Sequence, residues 1–292
     1  MISPTEQINP HTRQLDRMTP ARLAGAFNVE DFNAARAVKK AGPQIAAAIV
    51  CAAQTYARKH KIIFIGAGTS GRLGILEAVE CVPTFGTKPG EIIGLIAGGK
   101  KAVFRSQEGA EDDNKQGARE IAAHTQKNDF VIGLTASGHT PYVLGALQKA
   151  KALGAHTALI SCNPRAAAAH AEIHICLATG PEALTGSTRM KAGTATKMAL
   201  NAITTGAMAL CGKTYGNLMV DVQPSNKKLV ARAIRLISQI AQVSEKTAAR
   251  LLTDSGRNVK IAIIMHRQKL TRHRAAQKLK SAGGFLGKAL ND

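Results

Sequence analysis

From Lys61 to Leu177, short apolar runs alternate with longer stretches in which apolar residues recur every three or four positions. The short runs predict strands over Ile62–Ile65, Ile92–Ile96, Asp129–Leu134, Thr157–Ile160 and Ile173–Leu177. The longer stretches predict helices over Arg72–Val79, Asp113–Thr125, Pro141–Leu153 and Thr188–Leu210, with a short one near Lys101–Gln107. Apolar strands separated by helices imply an α/β chain with a parallel sheet covered on both faces. In such sheets a ligand lies outside the carboxyl ends of the strands.

The flanks follow other patterns. Residues Thr5–Asn28 are punctuated by Asn9-Pro10 and Thr19-Pro20, which predicts an arm with a short helix from Pro20 to Phe27. A longer helix is expected from Asp31 through Arg58, kinked or restarted at Gly42-Pro43, with Ala35, Val38, Ala41, Ile45, Ile49 and Ala52 as its apolar stripe. After Tyr215 no further strand is expected. Lys227–Gln242 is amphipathic, with Leu229, Ala233, Leu236 and Ile240 on one side, and residues from Ser244 onward form a small helical bundle. The chain thus divides into an N-terminal helical arm (1–51), a sheet domain (52–215) and a C-terminal helical domain (216–292).

Candidate chemistry concentrates at the ends of the strands. The first strand runs into Gly66-Ala67-Gly68-Thr69-Ser70-Gly71 and then into helical spacing. Glycines permit a tight turn, and a helix N-terminus offers free amides and a positive dipole end to an anion. The same letters fit a dinucleotide fingerprint, which also requires an acid at the end of the second strand. Here the acid, Glu91, opens that strand, and Thr69 and Ser70 put two hydroxyls in the turn, as suits a phosphate monoester. The third strand ends in Thr135-Ala136-Ser137-Gly138-His139-Thr140-Pro141, the fourth in Ser161-Cys162-Asn163-Pro164, and the last leads into Gly180 to Lys191 with Thr185, Ser187 and Thr188. Any one such hydroxyl is more commonly a helix cap. Two glycine-flanked serine turns on one rim favour a phosphorylated, polyhydroxylated ligand. The acids near this rim are Glu80, Glu108 and Glu111, while Asp112, Asp113 or Asn114 can cap the next helix. Two carboxylates over one sugar can serve as general acid and general base.

Composition narrows the picture. The formal charge is +20, and from Lys227 to Asp292 there are 15 Lys or Arg against three acids, a balance of +12. With three Tyr, seven Phe and no Trp, stacking platforms for single-stranded nucleic acid are scarce. The excess is read as a solvated basic helical surface, and no nucleic-acid partner is expected. The five cysteines (Cys51, Cys81, Cys162, Cys176, Cys211) are scattered without metal or disulfide spacing, which points to a reducing cytoplasm and to no metal. No signal peptide and no run of 18 apolar residues is visible, so no membrane association is expected.

Several ordered motifs resemble those of the N-acetylmuramic acid 6-phosphate etherases. They are Gly66-Ala67-Gly68-Thr69-Ser70-Gly71-Arg72-Leu73-Gly74, Glu80-Cys81-x-Pro83-Thr84-Phe85, Gly94 to Gly99, Glu108-Gly109-Ala110-Glu111-Asp112-Asp113, Ala136-Ser137-Gly138-x-Thr140-Pro141-Tyr142-Val143, Thr185 to Thr194, and Gly216-Asn217-Leu218-Met219-Val220-Asp221. The match extends from Thr5-Glu6 and Asn9-Pro10 into the C-terminal helices. The resemblance implies a sugar isomerase (SIS) fold, a homodimer, and a carbon–oxygen lyase that releases D-lactate in amino-sugar catabolism and cell-wall recycling. It puts the proton donor on Glu80 and the second active-site acid on Glu111, and it sets Ser70, Ser137 and Thr140 in the phosphate loops. The candidate binding set is Gly68, Thr69, Ser70, Gly71, Ser137, Gly138, Thr140 and Ser187.

The chemistry implied by the resemblance is coherent without a cofactor. In the open-chain aldehyde the C1 carbonyl acidifies the C2 proton, a carboxylate removes it, and a carboxylic acid protonates the departing lactate oxygen. Water then adds at C3. Two departures stand out: His139 occupies a position where an Arg is usual, and Glu77 one where an Asp is usual. The rival readings are a non-catalytic sugar-phosphate-binding regulator of the same fold, like the glucokinase-regulatory relatives, and an aldose–ketose isomerase. Retention of both Glu80 and Glu111 favours the etherase.

Overall fold

The computed structural model describes residues 3–291. Five strands, β1 (Ile62–Gly66), β2 (Ile92–Ile96), β3 (Phe130–Leu134), β4 (His156–Ser161) and β5 (Ile173–Cys176), form one sheet in the order β2-β1-β3-β4-β5. Every pairing is parallel, and Gly66 at the end of β1 stands opposite both Ile96 and Leu134. The strand order reverses between β1 and β3, and at such a switch point the loops leave in opposite directions and open a crevice. Ile62, Ile63, Phe64 and Ile65 are completely buried, each isoleucine contributing about 1.5–3 kcal/mol by leaving water.

Helices α5 (Asn114–His124) and α6 (Pro141–Ala152) cover one face of the sheet. Ile121, Tyr142, Val143 and Leu147 pack there with Ile63, Ile65, Val131 and Leu159. The buried Tyr142 keeps its hydroxyl satisfied by donating to Glu120 at 2.8 Å. The remaining helices of this part are α1 (Pro20–Lys40), α2 (Gly42–Ala57), α3 (Gly68–Phe85), α4 (Gly99–Phe104) and α7 (Lys191–Leu210).

Three expectations are corrected. The helix expected to stop at Phe27 continues to Lys40, because Thr19 caps it, Pro20 occupies its first turn and no breaker follows. Its buried face is set by Ala34 and Ala37, not Ala35, while Ala41, Ile45 and Ala52 are buried as expected. Helix α3 begins at Gly68, four residues before Arg72, so Thr69 and Ser70 form its first turn instead of a loop before it.

The described residues divide into two compact units. One runs from the N-terminus to Val79 and from Pro89 to Thr205; the other holds Glu80–Lys88 and everything from Gly206 onward. The second contains a strand pair where the hydropathy pattern predicts none, β6 (Thr214–Tyr215) against β7 (Leu218–Met219). It continues with α8 (Lys227–Ala241), α9 (Glu245–Asp254), α10 (Val259–Gln268), α11 (Arg272–Ser281) and α12 (Leu286–Leu290). Asn226, Ser244, Asn258 and Thr271 each accept a backbone N–H at the start of the first four, satisfying an amide that the helix itself leaves free. Ala233, Leu236, Ile237, Ile240, Leu252 and Ile263 form its core. Most of its Lys and Arg side chains are exposed, but Lys260 is buried.

Lys260 donates to Asp221 at 2.9 Å, and Lys213 donates to the same carboxylate at 2.5 Å. Burial alone would raise the Asp221 pKa, but the charges of Lys260 and Lys213 hold it below its ordinary value. A depressed carboxyl stabilises the fold above its unfolded pKa and loses that contribution as pH falls through the folded one. The C-terminal unit should therefore lose melting temperature as pH drops below about 4. Asp221→Asn should flatten that dependence and lower stability at neutral pH by about 3–5 kcal/mol, since it strands buried Lys260. Identical acid titrations of the two proteins, followed by circular dichroism, would contradict this.

Candidate functional site

A cavity of about 430 Å³ lies at the switch point of the sheet. One side is the first turn of α3, where Gly68, Thr69 and Ser70 line it. This turn can approach the sheet because neither Gly66 nor Gly71 carries a side chain. A Cβ on Gly71 would stand 2.6 Å from Ile96 Cγ1 and 2.7 Å from the Gly66 carbonyl oxygen. First-turn amides have no partner within their own helix, so they face the cavity as anion donors.

The opposite side follows β3. Buried Thr135 hydrogen-bonds through its hydroxyl to Thr140 at 2.7 Å and to Ser137 at 3.2 Å, and it accepts the Gly138 amide at 3.2 Å. Ser137 Oγ in turn accepts the His139 amide at 3.2 Å. The Asn163 side chain donates to the Ser137 carbonyl at 2.9 Å, which ties this loop to the end of β4. Ser137, His139 and Thr140 line the cavity, while Gly138 holds the turn beneath them at φ +78°.

Glu111 and Asp112 form part of a third wall, in the turn before α5. The capping residue of that helix is Asp113, which accepts the Gln116 amide at 2.8 Å, so Glu111 is free of that structural duty. Glu108 and Glu111 also border an adjoining cavity of about 270 Å³, with Arg72, which donates to the Val103 carbonyl.

The fourth wall comes from residues far apart in the chain. Gly186 and Thr188 line it together with Thr5 and Glu6 of the N-terminal arm. The Gly186 amide donates to the Thr5 carbonyl at 3.1 Å, the Thr12 hydroxyl donates to the Ala183 carbonyl at 2.7 Å, and the Asn9 side chain donates to the Pro181 carbonyl at 3.2 Å. Ser187, between Gly186 and Thr188, turns its amide to the Leu184 carbonyl, and its side chain is not part of the cavity wall.

This loop is fastened from below. Glu182, fully buried, accepts the amides of Lys191 and Ala192 at the start of α7. The Lys191 ammonium, also buried, is paired with Glu30 of α1. Burial raises the Glu182 pKa, an effect offset in part by those two amides and by Lys191. Burial would also raise Glu30, but the hydrogen bond and charge of Lys191 bring it below the usual value. Glu77 of α3 does the corresponding work against α7, accepting from Asn201 at 2.6 Å and Thr204 at 2.5 Å.

The cavity of the sheet unit thus brings together Gly68, Thr69, Ser70, Ser137, Thr140 and Glu111, with Gly71 and Gly138 as backbone supports. Glu80 is exposed on α3, ten positions beyond Ser70, in the segment that belongs with the C-terminal unit. Thr5, Glu6, Thr135 and Thr188 were not among the expected binding residues. Of these, Thr135 and Thr188 carried a signal of their own, as hydroxyls at or beyond the carboxyl end of a strand, while Thr5 and Glu6 belong only to the stretch over which the resemblance extends. No Lys or Arg lines the main cavity among the described residues, so an anion there is held by amides, hydroxyls and the α3 dipole. No cluster of three His, Cys, Asp or Glu suited to a metal ion occurs among the described residues.

Comparison with known proteins agrees with this fold. Residues 44–151 match the glucokinase regulatory protein N-terminal SIS domain, residues 112–206 the SIS domain, and residues 216–278 the C-terminal lid domain of glucokinase regulatory protein. N-acetylmuramic acid 6-phosphate etherases align almost end to end. That of Erwinia tasmaniensis is 49% identical over 98% of this chain and 94% of its own length. That of Synechocystis sp. is 47% identical over 98% and 95%, and that of Enterobacter sp. 48% identical over 99% and 98%. Among solved structures, a ligand complex of an Escherichia coli CFT073 protein shares the fold, with a TM-score of 0.50 and 18% identity over 68% of this chain and 97% of that one.

Ser70→Ala and Ser137→Ala should each weaken binding of a phosphosugar by about 1–2 kcal/mol, the worth of one hydrogen bond to a charged group. Titration calorimetry would read this, and unchanged affinity in both variants would reduce these serines to helix and turn caps.

Proposed function

The chain belongs to the N-acetylmuramic acid 6-phosphate etherases and acts on that phosphosugar; we propose that it cleaves the lactyl ether by elimination and hydration, with Glu111 as base and Glu80 as acid. The observation that carries the mechanism is Glu111 on the wall of the cavity that also holds the two serine turns. With the 6-phosphate on those turns, the sugar carbons extend toward Glu111. In the open-chain aldehyde Glu111 takes the C2 proton, the C3–O bond breaks, and the electron pair leaves with the lactate oxygen. A protonated Glu80 supplies the proton that turns the departing alkoxide oxygen into the lactate hydroxyl. Water then adds to C3 of the unsaturated aldehyde and a proton returns to C2, giving N-acetylglucosamine 6-phosphate and D-lactate. The enzyme is accordingly a carbon–oxygen lyase, and its reaction serves amino-sugar catabolism and cell-wall recycling.

The acting unit is a homodimer. Glu80 is not among the residues that line the cavity, and the acid of each site is therefore assigned to a second copy of the chain. Val29, Phe32, Leu76 and Val79 are exposed apolar side chains available for such an assembly. No helix among the described residues is long and apolar enough to cross a membrane, and five cysteines of which none forms a disulfide suit a reducing cytoplasm. A regulator without turnover is not favoured, since relatives matching nearly the whole chain are etherases.

The test is release of D-lactate from N-acetylmuramic acid 6-phosphate. In deuterated water the product should carry deuterium at C2, and in ¹⁸O water the label should enter the sugar C3 hydroxyl. Label confined to lactate would mean cleavage on the lactyl side and would sink the elimination. Glu80→Gln should slow lactate release by about 10²–10⁴-fold, and Glu111→Gln should abolish C2 exchange. Mixing the two inactive variants should restore about a quarter of wild-type activity if each site draws one acid from each copy. No restoration after subunit exchange would place both acids in one copy.

A further inference from the structure

The cavity contains a carboxylate that the elimination does not use. Glu6 stands in the N-terminal arm, more than 60 residues before the first phosphate turn, yet it lines the same cavity as Ser70, Ser137 and Glu111. Its placement is built. The arm is fastened to the 181–186 segment by the bonds from Gly186 to Thr5, Thr12 to Ala183 and Asn9 to Pro181. Thr5 and Asn9 are buried by this docking. The Glu6 carboxylate then occupies the space that a side chain at position 186 would fill, for a Cβ on Gly186 would stand 3.0 Å from Glu6 Oε2. Gly186 also has φ +76°, a conformation that other residues seldom take. The glycine therefore serves both the turn and the acid.

No described residue donates a hydrogen bond to the Glu6 carboxylate or forms an ion pair with it. The residue is exposed and borders the cavity, so its acceptor capacity, up to four lone-pair sites, is open to the cavity contents. A carboxylate repels phosphate and lactate alike, so what it can accept from is the uncharged part of the ligand: sugar hydroxyls and the acetamido N–H.

Building on the phosphosugar reading above, we propose that Glu6 is a specificity-determining residue that accepts hydrogen bonds from the sugar's hydroxyl and amide donors and opposes the binding of bare phosphate. The arm is thus a wall of the substrate site. The serine turns select a phosphate, and Glu6 requires that a polyhydroxylated body be attached to it. The two preferences have opposite electrostatic signs, which gives the proposal a signature that a merely structural acid would lack.

The experiment is calorimetry with two probes, N-acetylglucosamine 6-phosphate and inorganic phosphate, on the wild type, Glu6→Gln and Glu6→Ala. Removing Glu6 should raise the dissociation constant of the phosphosugar about 10- to 100-fold, the worth of hydrogen bonds to a charged acceptor. It should leave the affinity for inorganic phosphate unchanged or tighter. Glu6→Gln, which keeps one carbonyl acceptor without the charge, should fall between. Melting temperatures of all three should coincide, since Glu6 supports no other side chain. If both probes weaken together, the acid only holds the arm in place and the inference fails; it fails equally if phosphosugar affinity is unchanged. Failure of the wild type to bind the phosphosugar would instead overturn the functional reading on which the inference rests.

Discussion

A lysine and two glutamates sealed from solvent fix the geometry of the sheet unit. Lys191, Glu30 and Glu182 are each no more than 3% exposed. A buried charge is tolerated only when paired and hydrogen-bonded, so the three can exist only together. Lys191 pairs with Glu30 on α1, and Glu182 closes on the first amides of α7. Through them the N-terminal helix, the 180–190 segment and α7 share one arrangement. The arm before α1 and the cavity wall at Gly186 and Thr188 inherit that arrangement. Loss of either partner would leave an uncompensated charge in the interior, which makes this a switch between one geometry and none.

Within that frame no Lys or Arg side chain lines the cavity among the described residues. The close contact of Gly66 and Gly71 brings the first turn of α3 to the strand ends, and the Thr135 hydroxyl organises the second turn through three hydrogen bonds. Amides and hydroxyls fixed in advance hold an anion without the ordering cost that a long Lys or Arg would bring. His139, where relatives are expected to carry Arg, stands on the cavity edge and also borders a neighbouring cavity with Asn163 and Arg165. Two acids, Glu111 and Glu6, stand on the remaining walls of the same cavity.

The large positive charge is of another kind. It is carried mostly by exposed side chains on the C-terminal helices, whose burial pattern is that of an ordinary helical bundle with a side-chain cap at the head of each of its first four helices. One pair of lysines is drawn inward to Asp221. The rest can raise the local concentration of anionic metabolites at long range, an effect that salt screens.

Features that depend on neighbours along the chain were legible in the amino-acid order. Five short apolar runs could be read as strands of a covered parallel sheet, and the glycine-flanked hydroxyls at their ends as candidate anion turns, because both features are local. The placing of Ser70, Ser137 and Thr140 on one rim was legible for that reason, whereas Glu111, which lines the same cavity, was singled out by the resemblance. Which distant segments complete the site was settled by packing. The arm reaches the cavity through hydrogen bonds between residues about 170 to 180 positions apart, such as Asn9 to Pro181 and Thr5 to Gly186, and no periodicity or motif spacing encodes such a pairing. The same holds for the rotation of α1, where Ala34 and Ala37, not Ala35, turn inward. A run of alanines offers several nearly equivalent stripes, and only the surface it packs against selects one.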